Sequence, residues 1–112
     1  LRIMKILSRV KEKILRINKE KFKENFSGWD RKIQVNLGKE KFYILISGGK
    51  ISAKDGSLPK ADIKIESDAD TIENILKEEI SPMDAYAEGK LFIAGNPDDL
   101  GMLVELVKRL GK

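Results

Sequence analysis

Residues 81–96, SPMDAYAEGKLFIAGN, read as a short helix that stops at a glycine and turns directly into a strand. Ser81 is a favourable N-cap, and Pro82 suits the first helical position, where a missing N–H costs nothing. Gly89 can take the left-handed conformation that ends a helix. Lys90–Ala94 then sets Leu91 and Ile93 on one side of an extended segment and Phe92 on the other. Gly95, Asn96 and Pro97 break the strand, and a further helix starts at once, so two helices and a strand fit within about thirty residues. None of these side chains does chemistry. The stretch makes an apolar shape, which points toward binding rather than catalysis.

Upstream, the chain alternates. Ile33, Val35 and Leu37 oppose Lys32, Gln34 and Asn36, and after a turn at Gly38-Lys39-Glu40 come Phe42, Ile44 and Ile46. Ile51 and Ala53 follow Ser47-Gly48-Gly49, and Ala61, Ile63 and Ile65 follow Asp55-Gly56-Ser57 and Pro59. Four short strands joined by brief turns predict an antiparallel meander with one wet face. Gly48-Gly49 and Asp55-Gly56 are hairpin glycines, since neither stands between a strand and a helix as a phosphate loop requires.

Ser67–Ile80 is expected to form a helix capped by Asp68 or Asp70, with Ile72, Ile75, Leu76 and Ile80 as its apolar stripe. Asp68, Asp70 and the Glu78-Glu79 pair lack the Gly-centred loop and spacing of a calcium site, and acids belong in a helix's first turn in any case. Asp98–Leu110 is the last helix. Leu100, Leu103, Val104, Val107 and Leu110 share one face, while Met102 and Leu106 form a second apolar line. That excess must be buried against the N-terminal helix, a second subunit or a ligand. Methionine adapts to variable ligands, and Met83 and Met102 flank the last strand.

Residues 2–25 read as one amphipathic helix, with Ile3, Leu7, Val10, Ile14 and Ile17 recurring at alternating spacings. It either covers the sheet with a solvated outer face or rests its Lys and Arg on anionic lipid; its heptad-like spacing also fits a coiled coil. The aromatic cluster FKENFSGWD, residues 22–30, comes next, and Trp29 is either a core anchor or the rim of an apolar tunnel.

Composition narrows the chemistry. With 112 residues the chain holds one modest core, read as a single domain over 1–112: a basic helix over 1–25, then sheet and C-terminal helices over 26–112. It contains no cysteine and no histidine, so thiol nucleophiles, disulfides and the commonest general base and zinc ligand are excluded. No apolar run reaches the length of a membrane span, and no signal-peptide core is visible. The chain opens at Leu1 rather than at a methionine, which leaves room for residues upstream. Residues 1–25 hold nine Lys/Arg against three Glu, so the net charge of +4 arises there and the remainder is net −2. Aromatic residues are few and not interleaved with the basic ones, so nucleic acid is not an expected partner. No cofactor is called for, and the chain is expected not to be an enzyme.

Pro82, Ala85, Tyr86, Gly89, Lys90, Leu91, Ile93 and Gly95 together resemble the closing segment of the sterol carrier protein 2 (SCP2) family, and Ala61-Asp62-Ile63-Lys64-Ile65 resembles its Ala-Asp-Val-Thr-Ile strand. The resemblance spans roughly residues 22–110. It implies an α+β fold, a five-stranded mainly antiparallel sheet with helices on one face. It further implies non-catalytic binding or transfer of a fatty acid, acyl-CoA, phospholipid or sterol-like molecule in an apolar tunnel. By that resemblance the tunnel is lined by Trp29, Ile44, Ile46, Ile63, Ile65, Ile75, Met83, Leu91, Ile93, Met102 and Leu106, and gated by the last helix. Lys5, Arg9, Lys13 and Arg16 are then the residues that make transient contact with an anionic membrane. The end Leu110-Gly111-Lys112 is not a peroxisomal targeting tripeptide, and the first hairpin is shorter than in eukaryotic members, so a cytoplasmic prokaryotic lipid binder is expected. The family also contains accessory and dimerisation modules of larger assemblies, so such a module with a closed core, or a homodimer, is the alternative.

Overall fold

In the computed structural model, which describes residues 2–111, the strands form one sheet in the order β3-β2-β1-β4-β5. They are β1 (Arg31–Leu37), β2 (Glu40–Ser47), β3 (Lys50–Asp55), β4 (Ile63–Ser67) and β5 (Leu91–Ala94). Leu1 and Lys112, on which the readings of the two chain ends rest, lie outside the described residues.

Three of the pairings are antiparallel, but β4 lies parallel to β1. The four strands are therefore not a meander. Alternation tells which face each side chain takes, but not which strand becomes whose neighbour. The link after β3 carries the chain back across the sheet, and Gln34 holds it there: its Nε2 donates to the carbonyls of Phe42 and Gly56 at 3.1 Å, and its Oε1 accepts from the Leu58 N–H at 2.8 Å. Expected on the wet face, Gln34 is instead buried at 4% exposure, because the link covers it. The rest of that face carries exposed Lys32, Lys41, Lys54, Lys64 and Glu66.

The other face is apolar, and its register aligns the side chains in rows across the strands. Phe42, Val35, Ile65 and Ile93 stand opposite one another across β2, β1, β4 and β5. Ala53, Ile44, Ile33 and Ile63 make the next row.

Five helices cover this face: α1 (Arg2–Arg16), α2 (Lys19–Phe26), α3 (Ala69–Leu76), α4 (Pro82–Ala87) and α5 (Leu100–Gly111). The single helix expected over 2–25 is two. Asn18 is extended, and its side chain accepts from the Lys21 N–H at 3.0 Å, capping a new helix and breaking the old one. Ile3, Ile6, Leu7 and Val10 are buried as α1 packs on β2, β3, α3 and α5. α3 is likewise shorter than expected. Asp68 caps it through the Thr71 N–H, and it ends at Leu76 with Glu78 at φ 62°. There the Glu79 N–H bonds to the Asn74 carbonyl and the Glu78 N–H to that of Ile75, a closing pattern usually built on glycine. α4 ends the same way with the expected glycine, since Lys90 bonds back to Ala85 and Gly89, at φ 74°, to Tyr86.

The start of α5 is tied to the start of the sheet. Pro97–Asp99 form a 3₁₀ turn, and the buried Asp99 carboxylate accepts from the Trp29 indole N–H and from Nε and Nη2 of Arg31, all at 2.9 Å. The Arg31 guanidinium also lies 5.2 Å over the Trp29 ring; Phe22 stacks on Phe26, and Phe26 meets Trp29 at a tilt of 52°. Trp29 is thus a core anchor with its polar edge satisfied. The Arg31 hydrogen bonds, and then the Trp29 one, hold the Asp99 carboxyl below the usual carboxylate range.

Substitutions at Gly89 and Asp99 probe these contacts. A Cβ on Gly89 meets nothing within 4 Å, so Gly89→Ala isolates the left-handed backbone penalty. It is expected to lower stability by about 1–2 kcal/mol in urea unfolding, with the fold retained. For Asp99 the native carboxyl has the lower pKa, so the charged form stabilises the fold above the ordinary range and this contribution disappears as pH falls through the lowered value. Asp99→Asn is expected to cost about 2 kcal/mol at neutral pH. It is also expected to flatten the loss of stability between about pH 5 and pH 2, read from urea midpoints. A remaining slope is assigned to Asp68, held low chiefly by the Thr71 N–H, and to Glu73, held low chiefly by the Arg2 hydrogen bond.

Candidate functional site

Where the sheet meets α3, α4 and α5, the core does not close. A cavity of about 90 Å³ remains, and every residue lining it is apolar. Its floor is the register row Phe42, Val35, Ile65 and Ile93, with Ile44 beside it and Leu91 at the near end of β5. α3 contributes Ile72, Ile75 and Leu76, and the start of α4 contributes Pro82 and Met83. α5 lies over the top with Leu100, Leu103, Val104, Val107 and Leu110, while Val10 of α1 closes one side. Ile65 and Ile93 are half-buried, and Met83 is 43% exposed, so the cavity meets the surface along the α4–α5 side.

Six of the expected lining residues surround this space: Ile44, Ile65, Ile75, Met83, Leu91 and Ile93. Five do not. Trp29 faces Asp99 instead. Ile46 is register partner of Arg31 and Ile51, two rows from the floor, where the core is solid. Ile63 stands one row away and borders a separate crevice near Gly95. Met102 and Leu106 lie on the wrong side of α5: Leu106 is buried at 1% exposure in the main core, and Met102 packs against that core. The cavity takes the other stripe of α5, whose breadth is visible in the sequence as the main apolar face. The roles of Val10, Val35, Phe42, Ile72 and Leu76 depend on register and helix packing, and no local pattern marks them.

With only apolar side chains in its wall, the cavity offers no proton donor and no activated nucleophile, and what it can do chemically is take up apolar surface by exclusion of water. Among the described residues, no group of three or more Asp or Glu stands close enough to hold a metal ion.

Lys5, Arg9, Lys13 and Arg16 lie along one shallow groove of α1 with Met4, Ser8 and Glu12. Among the described residues none of these four basic side chains forms an ion pair, whereas neighbouring Arg2 is bound to Asp70 and Glu73 of α3. No helix among the described residues is long and apolar enough to cross a membrane.

The fold is that of several solved structures. Palmitated SCP2L2 from Aedes aegypti matches with a TM-score of 0.67 at 17% identity, over 91% of this chain and 90% of that one. The UbiJ-SCP2 ubiquinone synthesis protein matches with a TM-score of 0.67 at 12% identity, over 96% and 87%. The inverting sec-alkylsulfatase Pisa1 from Pseudomonas sp. matches with a TM-score of 0.66 at 20% identity over 82% of this chain, which spans only 14% of the sulfatase. These likenesses concern the fold alone. No curated protein matches the chain. Residues 7–108 match the model of the SCP-2 sterol transfer family, and the chain belongs to that family.

Proposed function

We propose that this protein is a non-catalytic carrier that holds the hydrocarbon part of a lipid in the cavity between the sheet and α3, α4 and α5. A fatty acid, acyl-CoA, phospholipid or sterol-like molecule fits this class. The observation that carries the reading is the lining itself, apolar at every position. Such a wall favours a chain or ring system by area burial and fixes its orientation poorly. The palmitated state of the Aedes aegypti relative supports a fatty chain as one guest.

Micromolar affinity needs about 8 kcal/mol, which at about 0.8 kcal/mol per buried methylene asks for about ten such groups. A lining able to yield space serves that demand. Methionine at 83 and the incompletely buried Val104 and Val107 suit a wall of that kind. The basic groove of α1 serves in this reading to bring the protein to an anionic membrane, where lipid is collected or delivered.

An accessory or dimerisation module is the second reading. It is favoured by the small resting volume, and by the occurrence of the fold as a minor part of the sulfatase chain and in a ubiquinone synthesis protein.

Native mass spectrometry of protein purified without detergent, beside lipid analysis of a denatured extract, separates the two. The carrier reading expects a stoichiometric lipid adduct, or uptake of added fatty acid or acyl-CoA. A clean apo mass with no uptake overturns it and favours the module. For the membrane contact, wild type is expected to bind phosphatidylserine vesicles and to be released at about 1 M salt, where screening reaches contact distance. The Lys5→Glu/Arg9→Glu variant is expected to lose most of that binding while still melting cooperatively; equal binding by both proteins refutes the contact.

A further inference from the structure

Beneath the link from β5 to α5 lies a second space, a crevice of about 150 Å³ bordered by Ile63, Tyr86, Gly95, Asn96 and Pro97, and by Asp99, whose carboxylate is already taken up by Trp29 and Arg31. Three side chains, Ile93, Leu100 and Leu103, line both this crevice and the apolar cavity. They form a partition one side chain thick. No hydrogen bond crosses it, since all three are hydrocarbon. Leu103 is buried, while Ile93 and Leu100 are half-buried and so have room to change rotamer.

The backbone that carries the partition is held much more firmly. Ile93 is in register with Ile65 on β4, and Gly95 comes so close to β4 that a Cβ there falls 2.9 Å from the Asp62 carbonyl oxygen. Asp99, next to Leu100, is bound by Trp29 and Arg31. Space is therefore gained here by turning side chains, not by moving the strand or the helix. Joining the crevice to the cavity more than doubles the volume open to a guest.

We propose that Ile93, Leu100 and Leu103 set the length of the hydrocarbon chain that the cavity accepts, and that their rotation lets a longer chain pass through toward Tyr86 and Pro97. The inference rests on the carrier reading above and adds to it the residues that select among guests. A short chain stops at the partition. A longer one displaces it and gains contact on the far side.

The test is calorimetric titration of delipidated protein with octanoate, dodecanoate and hexadecanoate. In wild type, affinity is expected to rise about fourfold for each methylene added until the chain meets the limit, and then to level off. Leu100→Ala and Leu103→Ala are expected to move the levelling point to longer acids, and Leu100→Phe to move it to shorter ones. Leu103 is a core residue, so its variant is judged only if it melts cooperatively; the half-buried Leu100 carries the test alone if it does not. The same levelling point in wild type, Leu100→Ala and Leu100→Phe overturns the partition while leaving the carrier reading in place. No binding of any acid to wild type overturns the partition as a selector of fatty chains, while the carrier reading is then decided separately by the lipid adduct in the native mass spectrum.

Discussion

The side-chain amide of Gln34 lies beneath the link between β3 and β4, donating to the carbonyls of Phe42 and Gly56 and accepting from the Leu58 N–H. These bonds satisfy backbone groups that the link, crossing a covered part of the sheet, would otherwise leave without partners. Further along, the Asp62 N–H donates to the Lys32 carbonyl and the Lys32 N–H to the Asp62 carboxylate, both at 2.8 Å, which fixes where β4 begins. Because β4 enters parallel to β1, Ile65 falls opposite Val35 and, in turn, Ile93 falls opposite Ile65. The cavity floor is that row. A slip of one residue would turn Lys64 and Glu66 inward and leave no apolar floor.

The helices over this floor combine a fixed frame with an adjustable lining. α5 is anchored at its start by the Asp99 carboxylate, and at its end Gly111 packs so near Glu78 that a Cβ would lie 3.0 Å from its Oε1. Between those ends its cavity face is Leu and Val. Elsewhere the apolar layer is packed through: Phe26, Ile6, Ile33, Ile46 and Leu106 are among the most fully buried side chains. The cavity beneath α5 stands beside a solid core that bears most of the burden of stability. The aromatic cluster of Phe22, Phe26 and Trp29 stands apart from the gap, whereas α1 reaches it through Val10 alone.

Much of this is legible in the sequence where a local pattern has one physical solution. Ser81-Pro82 and Gly89 dictate both ends of α4, and the alternation in β1 and β2 dictates their inward faces. What escapes is set by contacts between distant residues. The parallel entry of β4 depends on an amide that alternation alone would place in water. Asn18 divides the first helix because its side chain can serve as a cap, which competes with an apolar stripe that continues past it. On α5, both apolar lines are real, but whether a line meets the cavity or the core depends on how the helix is rotated, and the Asp99 anchor sets that rotation. For this reason the sequence places Met102 and Leu106 on the wrong side and leaves Leu103 and Val107 out of the lining.

A wall made only of hydrocarbon also has a thermal consequence. A guest that enters such a space removes apolar surface from water without trading polar hydrogen bonds, so its binding carries a negative heat-capacity change. The enthalpy of binding then grows more favourable with rising temperature, while its entropy becomes less so. No titratable group stands in the cavity wall, so the cavity itself would impose no protonation equilibrium on a guest. Acidity would reach it through the guest's own head group, or through the Asp99 anchor that holds the roof in place.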